Sequence, residues 1–266
     1  MPAGLPPEAP ALVLAVAGSP GIPDVAADIA TVIRVDNPTL DVRTALISRG
    51  RDDQGGLAAV LAETAAARPS DGPPAVVIPL LALPFPALIR AIRAEVGQSG
   101  VDAFLAEPFE ASLTFAEALH IRLADARLAR ADRVRMFSIP TAADGIIVAT
   151  VGGGASVAGA TPTAVLLAAR LALPVFAAAL DGSPSIHEAA AQLRQMGAGR
   201  IAVAPCIIGP EARPGALEAA CAGIGADCAA PLGAHDSVAK MMTLTYGQAL
   251  AQIDAAHRDE ADAGQG

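Results

Sequence analysis

Two prolines constrain this chain more than any other feature. Pro79 and Pro205 each end a four-residue apolar run, AVVI before one and IAVA before the other, and the segments around them recur in the same order. The first half opens with ALVLAVAG (11–18) and the helix-patterned DVAADIATVIR, then DVRTALIS (41–48) and GLAAVLAETAAAR (56–68). AVVIPLLAL (75–83), PALIRAIRAEVG, VDAFLAEPF (101–109) and TFAEALHIRLADARLA complete it. The second half runs through GIIVATVGGGAS (145–156), TAVLLAARL, PVFAAALDG (174–182) and SIHEAAAQLRQMG. It closes with RIAVAPCIIG (200–209), PGALEAACAGIG, ADCAAPLGAH (226–235) and SVAKMMTLTYGQALAQI. Pro108 in AEPFEAS and Pro231 in AAPLGAH form a second matched pair.

Short continuous apolar runs that alternate with amphipathic helices are the pattern of a parallel sheet covered on both faces. Repeating the series predicts an α/β protein of two similar lobes related by internal duplication, each a small parallel sheet flanked by helices. The expected boundaries are 1–126 for the first lobe, 127–144 for a linker, 145–252 for the second lobe and 253–266 for a polar, frayed tail. The lobes are expected to face one another, with a ligand cleft beyond the carboxyl ends of their strands.

Composition narrows the partners. The net charge is −9 and Lys240 is the sole lysine. Such a surface repels a phosphate backbone. Aromatic residues make up 3% of the chain and Trp is absent, so stacking platforms for single strands are missing as well. No nucleic acid partner is expected. Mean hydropathy is +0.47, high for a water-exposed fold, yet much of it is alanine. The apolar stretch 75–89 is broken by Pro79, Pro84 and Pro86, and 164–180 carries Arg170 and Pro174, so neither reads as a membrane span. No Lys or Arg precedes Arg34, which removes the positive region of a signal peptide. The expectation is a cytoplasmic protein without a membrane partner. Cys206, Cys221 and Cys228 form no C-x-x-C pair and fit a reducing compartment.

The ordered set of segments resembles the sirohydrochlorin chelatases of the CbiX and SirB type, the class II tetrapyrrole metal chelatases. DGSPSIHEAAAQLRQMGAGRIAVAPCIIGP (181–210) and AAPLGAHDSVAKMMTLTYGQAL (229–250) carry the closest likeness. LVLAVAGS, VDNPTLDVRTALI and AVVIPLLA match in order and spacing, and the resemblance covers about residues 11 to 252. It implies a ferro- or cobaltochelatase, a lyase of siroheme or cobalamin synthesis.

The resemblance also implies two metal-binding histidines. One lies just before a Gly-Ser after the first strand, and the other eight residues after the proline of the third. Here those positions are Ala17 and Ala87, and their equivalents in the second half are Val151 and Arg213. Inserting Fe²⁺ or Co²⁺ into a macrocycle needs ligands that hold and release the ion and a base for the pyrrole N–H protons. Neutral imidazole suits both tasks, and a methyl group suits neither. No metal ligand set and no catalytic residue are therefore expected, and metal insertion is expected to be lost or impaired. Ala17, Gly18, Ser19, Phe85 and Ala87 would still line a cleft roomy enough for a flat tetrapyrrole.

Other residues carry weaker signals. His120 shares a helix with Glu117 and reads as a partly exposed helical residue. His187 stands near a helix start behind Ser185, a candidate N-cap. His235 reads as a turn cap before the last helix, and His257 falls in the tail. Cys206 and Cys228 read as small buried hydrophobes. Ser19 reads as a helix N-cap rather than a nucleophile, because no G-x-S-x-G surrounds it. VGGGASVAG (151–159) follows a strand and opens a helix as phosphate-binding turns do, and Asp181 stands where a ribose-binding acid would. It lacks the third glycine of G-x-G-x-x-G, so its glycines read as a tight turn. Three functions follow as expectations: a chelatase-type protein, a non-catalytic tetrapyrrole binder or partner of a chelatase or siroheme enzyme, and a nucleotide- or phosphate-binding protein.

Overall fold

The structure is a computed structural model of the 266-residue chain and describes residues 9–17, 25–47, 55–68, 72–107, 113–130, 142–209 and 211–263. It is α/β and falls into two compact units.

The first unit holds a parallel sheet of β1 (Ala11–Val16), β2 (Val42–Leu46), β3 (Ala75–Pro79) and β4 (Phe104–Leu105), in the order β2-β1-β3-β4. All six residues of β1 are buried, so both faces of this central strand are covered. One face places Val13, Ala15, Ala75 and Val77 against Leu57 and Leu61 of α2 (Leu57–Ala67) and Ile92 of α3 (Pro86–Ser99). The alternation of strand residues between faces follows from the two-residue period of the pleat. Burying a Leu or Ile side chain from water stabilises by about 1.5–3 kcal/mol each, which is why these short runs suffice. Helix α1 (Val25–Asp36) buries Ile29 and Ile33 at the four-residue spacing of one helical face.

The second unit repeats the plan. Strands β5 (Gly145–Thr150), β6 (Val175–Ala179), β7 (Ile201–Pro205) and β8 (Asp227–Cys228) pair in parallel in the order β6-β5-β7-β8. Helices α6 (Ile186–Gln195) and α7 (Ala216–Ile224) bury Leu193, Leu217 and Ile224 against Ile147, Ala149 and Val203. Helix α5 (Gly153–Leu171) begins ten residues before the TAVLLAARL segment and carries Pro162 in its interior.

The matched prolines prove to be matched in register. Pro79 stands opposite Ala15, and Pro205 stands opposite Ala149. The next residue in each repeat returns to the central strand, Leu80 N–H to Ala15 O at 2.9 Å and Cys206 N–H to Ala149 O at 2.8 Å. Ladder donors alternate in direction, so the donor that each proline lacks would face the outer two-residue strand, one step past its end. The outer segment is still bonded there, Ala106 N–H to Val77 O and Ala229 N–H to Val203 O at 2.9 Å, and the proline, with no N–H to return, ends the pairing. Each strand ends at its proline, directly after the four-residue apolar run.

The compact units do not follow the linear boundaries at 126 and 145. The first unit comprises Met1–Leu80, Leu88–Pro108 and Val238–Gly266, and the second Leu81–Ala87 and Phe109–Ser237. Helix α4 (Leu113–Asp125), last of the first half, thus clusters with the second unit. There it packs on α5 and β7, burying Phe115, Leu119 and Leu123. Helix α8 (Asp236–Ala263) runs from the second half into the first unit. In that unit Tyr246 donates from its hydroxyl to Pro10 O at 2.6 Å, and burial pushes its phenol up to about 12. Apolar faces find their partners in space, and sequence order does not dictate which sheet they reach. The tail beyond residue 253 is helical to Ala263 rather than frayed. The expected linker 127–144 is described only at its ends, and Pro108 lies outside the described residues. No described helix is long and apolar enough to cross a membrane.

Candidate functional site

In an open parallel sheet ligands enter beyond the carboxyl ends of the strands, where the strand order reverses. In the second unit that point lies between β5 and β7. Three pieces of the chain meet there.

The first is the β5–α5 turn. Gly152 and Gly153 adopt φ of +112° and +67°, values that L side chains rarely reach. Both amides point at Asp181, the residue that follows Leu180 after β6. Its carboxylate accepts from Gly152 N at 3.0 and 3.1 Å and from Gly153 N at 3.1 Å. The positive end of the α5 dipole is therefore already matched by a carboxylate of the chain itself. The turn has the backbone of an anion site, with Asp181 in the anion's place rather than in that of a ribose-binding acid.

The second piece is the Leu81–Ala87 loop. Leu81, Ala82 and Leu83 are buried, Phe85 is half-buried and Ala87 is exposed. A Cβ placed on Gly152 would come within 3.0 Å of Pro84 O and 3.1 Å of Phe85 Cα, and one on Gly159 within 3.0 Å of Pro84 Cδ. Ser156, fully buried, hydrogen-bonds through its hydroxyl with the carbonyls of Pro84 and Val151. Gly152 and Gly159 thus serve close approach of the Leu81–Ala87 loop.

The third piece is the segment after β7. Glu211 turns its carboxylate back onto the amides of Ile208 at 2.6 Å and Gly209 at 2.8 Å. The amides of Glu211 itself and of Ala82 add to the cradle. Burial nevertheless dominates and pushes the carboxyl above its ordinary value of 4.5. Beside it Cys206, 1% exposed, has its thiol pushed up to about 12 by burial and then by the Glu211 charge. It is the inert small hydrophobe that its sequence context predicts. Glu211 had no local signal, since it follows a Gly-Pro pair and precedes an exposed turn.

No protein-family model matches this chain, and no curated protein does. Among solved structures it is similar to a periplasmic ribose ABC transporter from Conexibacter woesei DSM 14684, at 16% identity and a TM-score of 0.36, over 82% of this chain and 70% of that one. A likeness so distant leaves the site to be read from its own residues.

The predicted site residues separate as follows. Ala17 directly follows β1 in the first unit, and Gly18 and Ser19 lie outside the described residues. Phe85 and Ala87 belong to the second unit with the loop just described. Among the described residues no group of three His, Cys, Asp or Glu side chains could hold a metal ion.

Three of the histidines sit in different settings. His120 is not partly exposed, as its helix position predicted; it is 5% exposed, with both ring nitrogens engaged. The α4 face that carries it is covered by α5, which local periodicity does not report. His187 lies behind the capping box of α6, where Ser185 Oγ accepts from Glu188 N at 3.2 Å and Glu188 Oε2 accepts from Ser185 N at 2.6 Å. His235 accepts from Ser237 N at 3.1 Å through Nδ1, the cap expected of it. Cys228 departs from its expectation: it is half-buried, and its thiol meets Cys221.

Proposed function

We propose that this protein is a chelatase-type tetrapyrrole binder that does not insert metal. Its substrate class would be the polycarboxylate macrocycles of siroheme and cobalamin synthesis, taken up at the carboxyl ends of the strands. One observation carries the reading. The repeated strand order leads β1 directly to Ala17, the position at which the resemblance demands an imidazole. The described residues offer no replacement cluster of donors. A methyl group neither coordinates Fe²⁺ or Co²⁺ nor accepts a pyrrole proton. What remains is recognition of the macrocycle, with delivery to an active chelatase or a siroheme enzyme as its use.

The nucleotide reading is weaker on a specific ground. The amides that would cradle a phosphate already hold Asp181.

The test is optical. Metal-free sirohydrochlorin is titrated into the protein, then Co²⁺ or Fe²⁺ is added and the absorbance followed. Saturable binding is expected, with conversion no faster than in the presence of heat-denatured protein. Conversion well above that background would overturn the loss of metal insertion. Absence of saturable binding would overturn the tetrapyrrole reading.

A further inference from the structure

We propose that Cys221 and Cys228 form a dithiol site that a hydroperoxide oxidises to an intramolecular disulfide, leaving Cys206 untouched. The inference is independent of the tetrapyrrole reading.

The geometry begins with the end of α7. Gly225 adopts φ of +62° and donates its amide to Ala222 O at 3.1 Å, while Ala226 donates to Cys221 O at 3.0 Å. These two bonds make the reversed turn that ends many helices on glycine. The chain folds straight back along the last turn of the helix and enters β8. Strand periodicity puts Cys228 on the same side as Ala226. Both side chains pack against the buried cluster that contains Cys221, Leu217 and Ile224. The two thiols become hydrogen-bond partners, and Cys228 also has Ala229 O as an acceptor at 3.3 Å.

The two sulfurs differ in readiness. The hydrogen bond with Cys228 lowers the Cys221 thiol below its ordinary value of 9.0, against burial and the charge of Glu218. The same bond raises Cys228, with burial adding to it. Cys221 is therefore the sulfur that attacks, and Cys228 the one that resolves. Cys221 is 5% exposed and Cys228 half-buried.

The chemistry balances. The Cys221 thiolate attacks the terminal oxygen of the hydroperoxide, the O–O bond breaks, and alkoxide or hydroxide leaves to take up a proton. Cys228 then attacks the sulfenic sulfur, the S–O bond breaks, and the departing hydroxyl takes the Cys228 proton and leaves as water. Two electrons pass from the sulfurs to the peroxide, giving one S–S bond, one alcohol or water, and one further water. The sulfurs start in hydrogen-bond contact and must close to ~2.05 Å.

The full-length protein is treated with hydrogen peroxide under native conditions, then unfolded, and its free thiols are counted and its intact mass measured. The reduced chain has three thiols. After oxidation one is expected to remain, with a monomeric mass lower by two hydrogens and full recovery by dithiothreitol. Cys206→Ala should lose both of its thiols at the wild-type rate. Cys228→Ser should trap a dimedone-reactive sulfenic acid on Cys221. Three thiols surviving in the wild type, disulfide-linked dimers, or a bridge that includes Cys206 would each overturn the proposal. The wild-type count decides it even if a variant fails to fold.

Discussion

Arg170 donates its Nε–H to Nδ1 of His120 at 2.7 Å, while Nε2 of the same ring lies 2.5 Å from the Arg130 carbonyl. Both ring nitrogens are thereby engaged. Nδ1 accepts from the guanidinium and Nε2 faces the carbonyl, and the two contacts join α5 to the end of α4. The guanidinium reaches on to Glu117 Oε1 at 3.1 Å.

The three side chains are not equal. His120→Leu keeps the volume of a 5% exposed site but strips a partner from Arg170 and from the Arg130 carbonyl. Unsatisfied buried groups of this kind cost about 1–3 kcal/mol each, so urea unfolding should show a loss of that order. Glu117, with a side chain 55% exposed, makes an ion pair worth about 0.5 kcal/mol or less. Glu117→Ala should leave the urea midpoint nearly unchanged.

Neighbouring glycines in the β5–α5 turn should respond differently to alanine. Gly153 at φ +67° has nothing within 4 Å of an added Cβ, so its cost is backbone strain alone, about 1–2 kcal/mol. At Gly152 the same methyl would meet Ser156 Oγ at 2.3 Å and Pro84 O at 3.0 Å as well. Gly152→Ala should be the more destabilising of the two in thermal unfolding, and equal losses would show that the Leu81–Ala87 loop yields freely.

Asp181→Ala removes the acceptor of both turn amides at the head of α5. A cap of this kind is worth about 0.5–2 kcal/mol, and the variant should melt correspondingly lower. Wild type should show no thermal shift with nucleotides. A ligand present at a hundredfold its Kd would add about 2.7 kcal/mol, which such a scan detects readily and which would reinstate the nucleotide reading.

Glu211 should make stability depend on pH with a definite sign. Its carboxyl is raised in the folded state, so the native chain holds this proton to higher pH than the unfolded chain does. The favourable contribution is complete below the ordinary value of 4.5 and is lost as pH rises through the raised one. Glu211→Gln abolishes that titration. The difference in unfolding free energy, variant minus wild type, should therefore shift in favour of the variant between pH 4 and pH 7. A difference that stays constant over the range would show that the folded carboxyl titrates normally.

The repeat and the parallel sheets are legible in the sequence. Short apolar runs announce strands buried on both faces, and prolines stop them at equivalent steps. The same local reading identified Ser185 and His235 as caps, because a cap acts within a few residues of itself. It misplaced His120, whose partner Arg170 lies 50 residues away, and it had no means of finding Asp181 against Gly152 or Glu211 against Ala82. It also assigned α4 and α8 to their own halves. Secondary structure is decided by periodicity and backbone stereochemistry, which a stretch of ten residues carries within itself. Which helix covers which sheet, and which carboxylate satisfies which amide, is decided by burial and hydrogen bonding between segments that only the tertiary fold brings into contact.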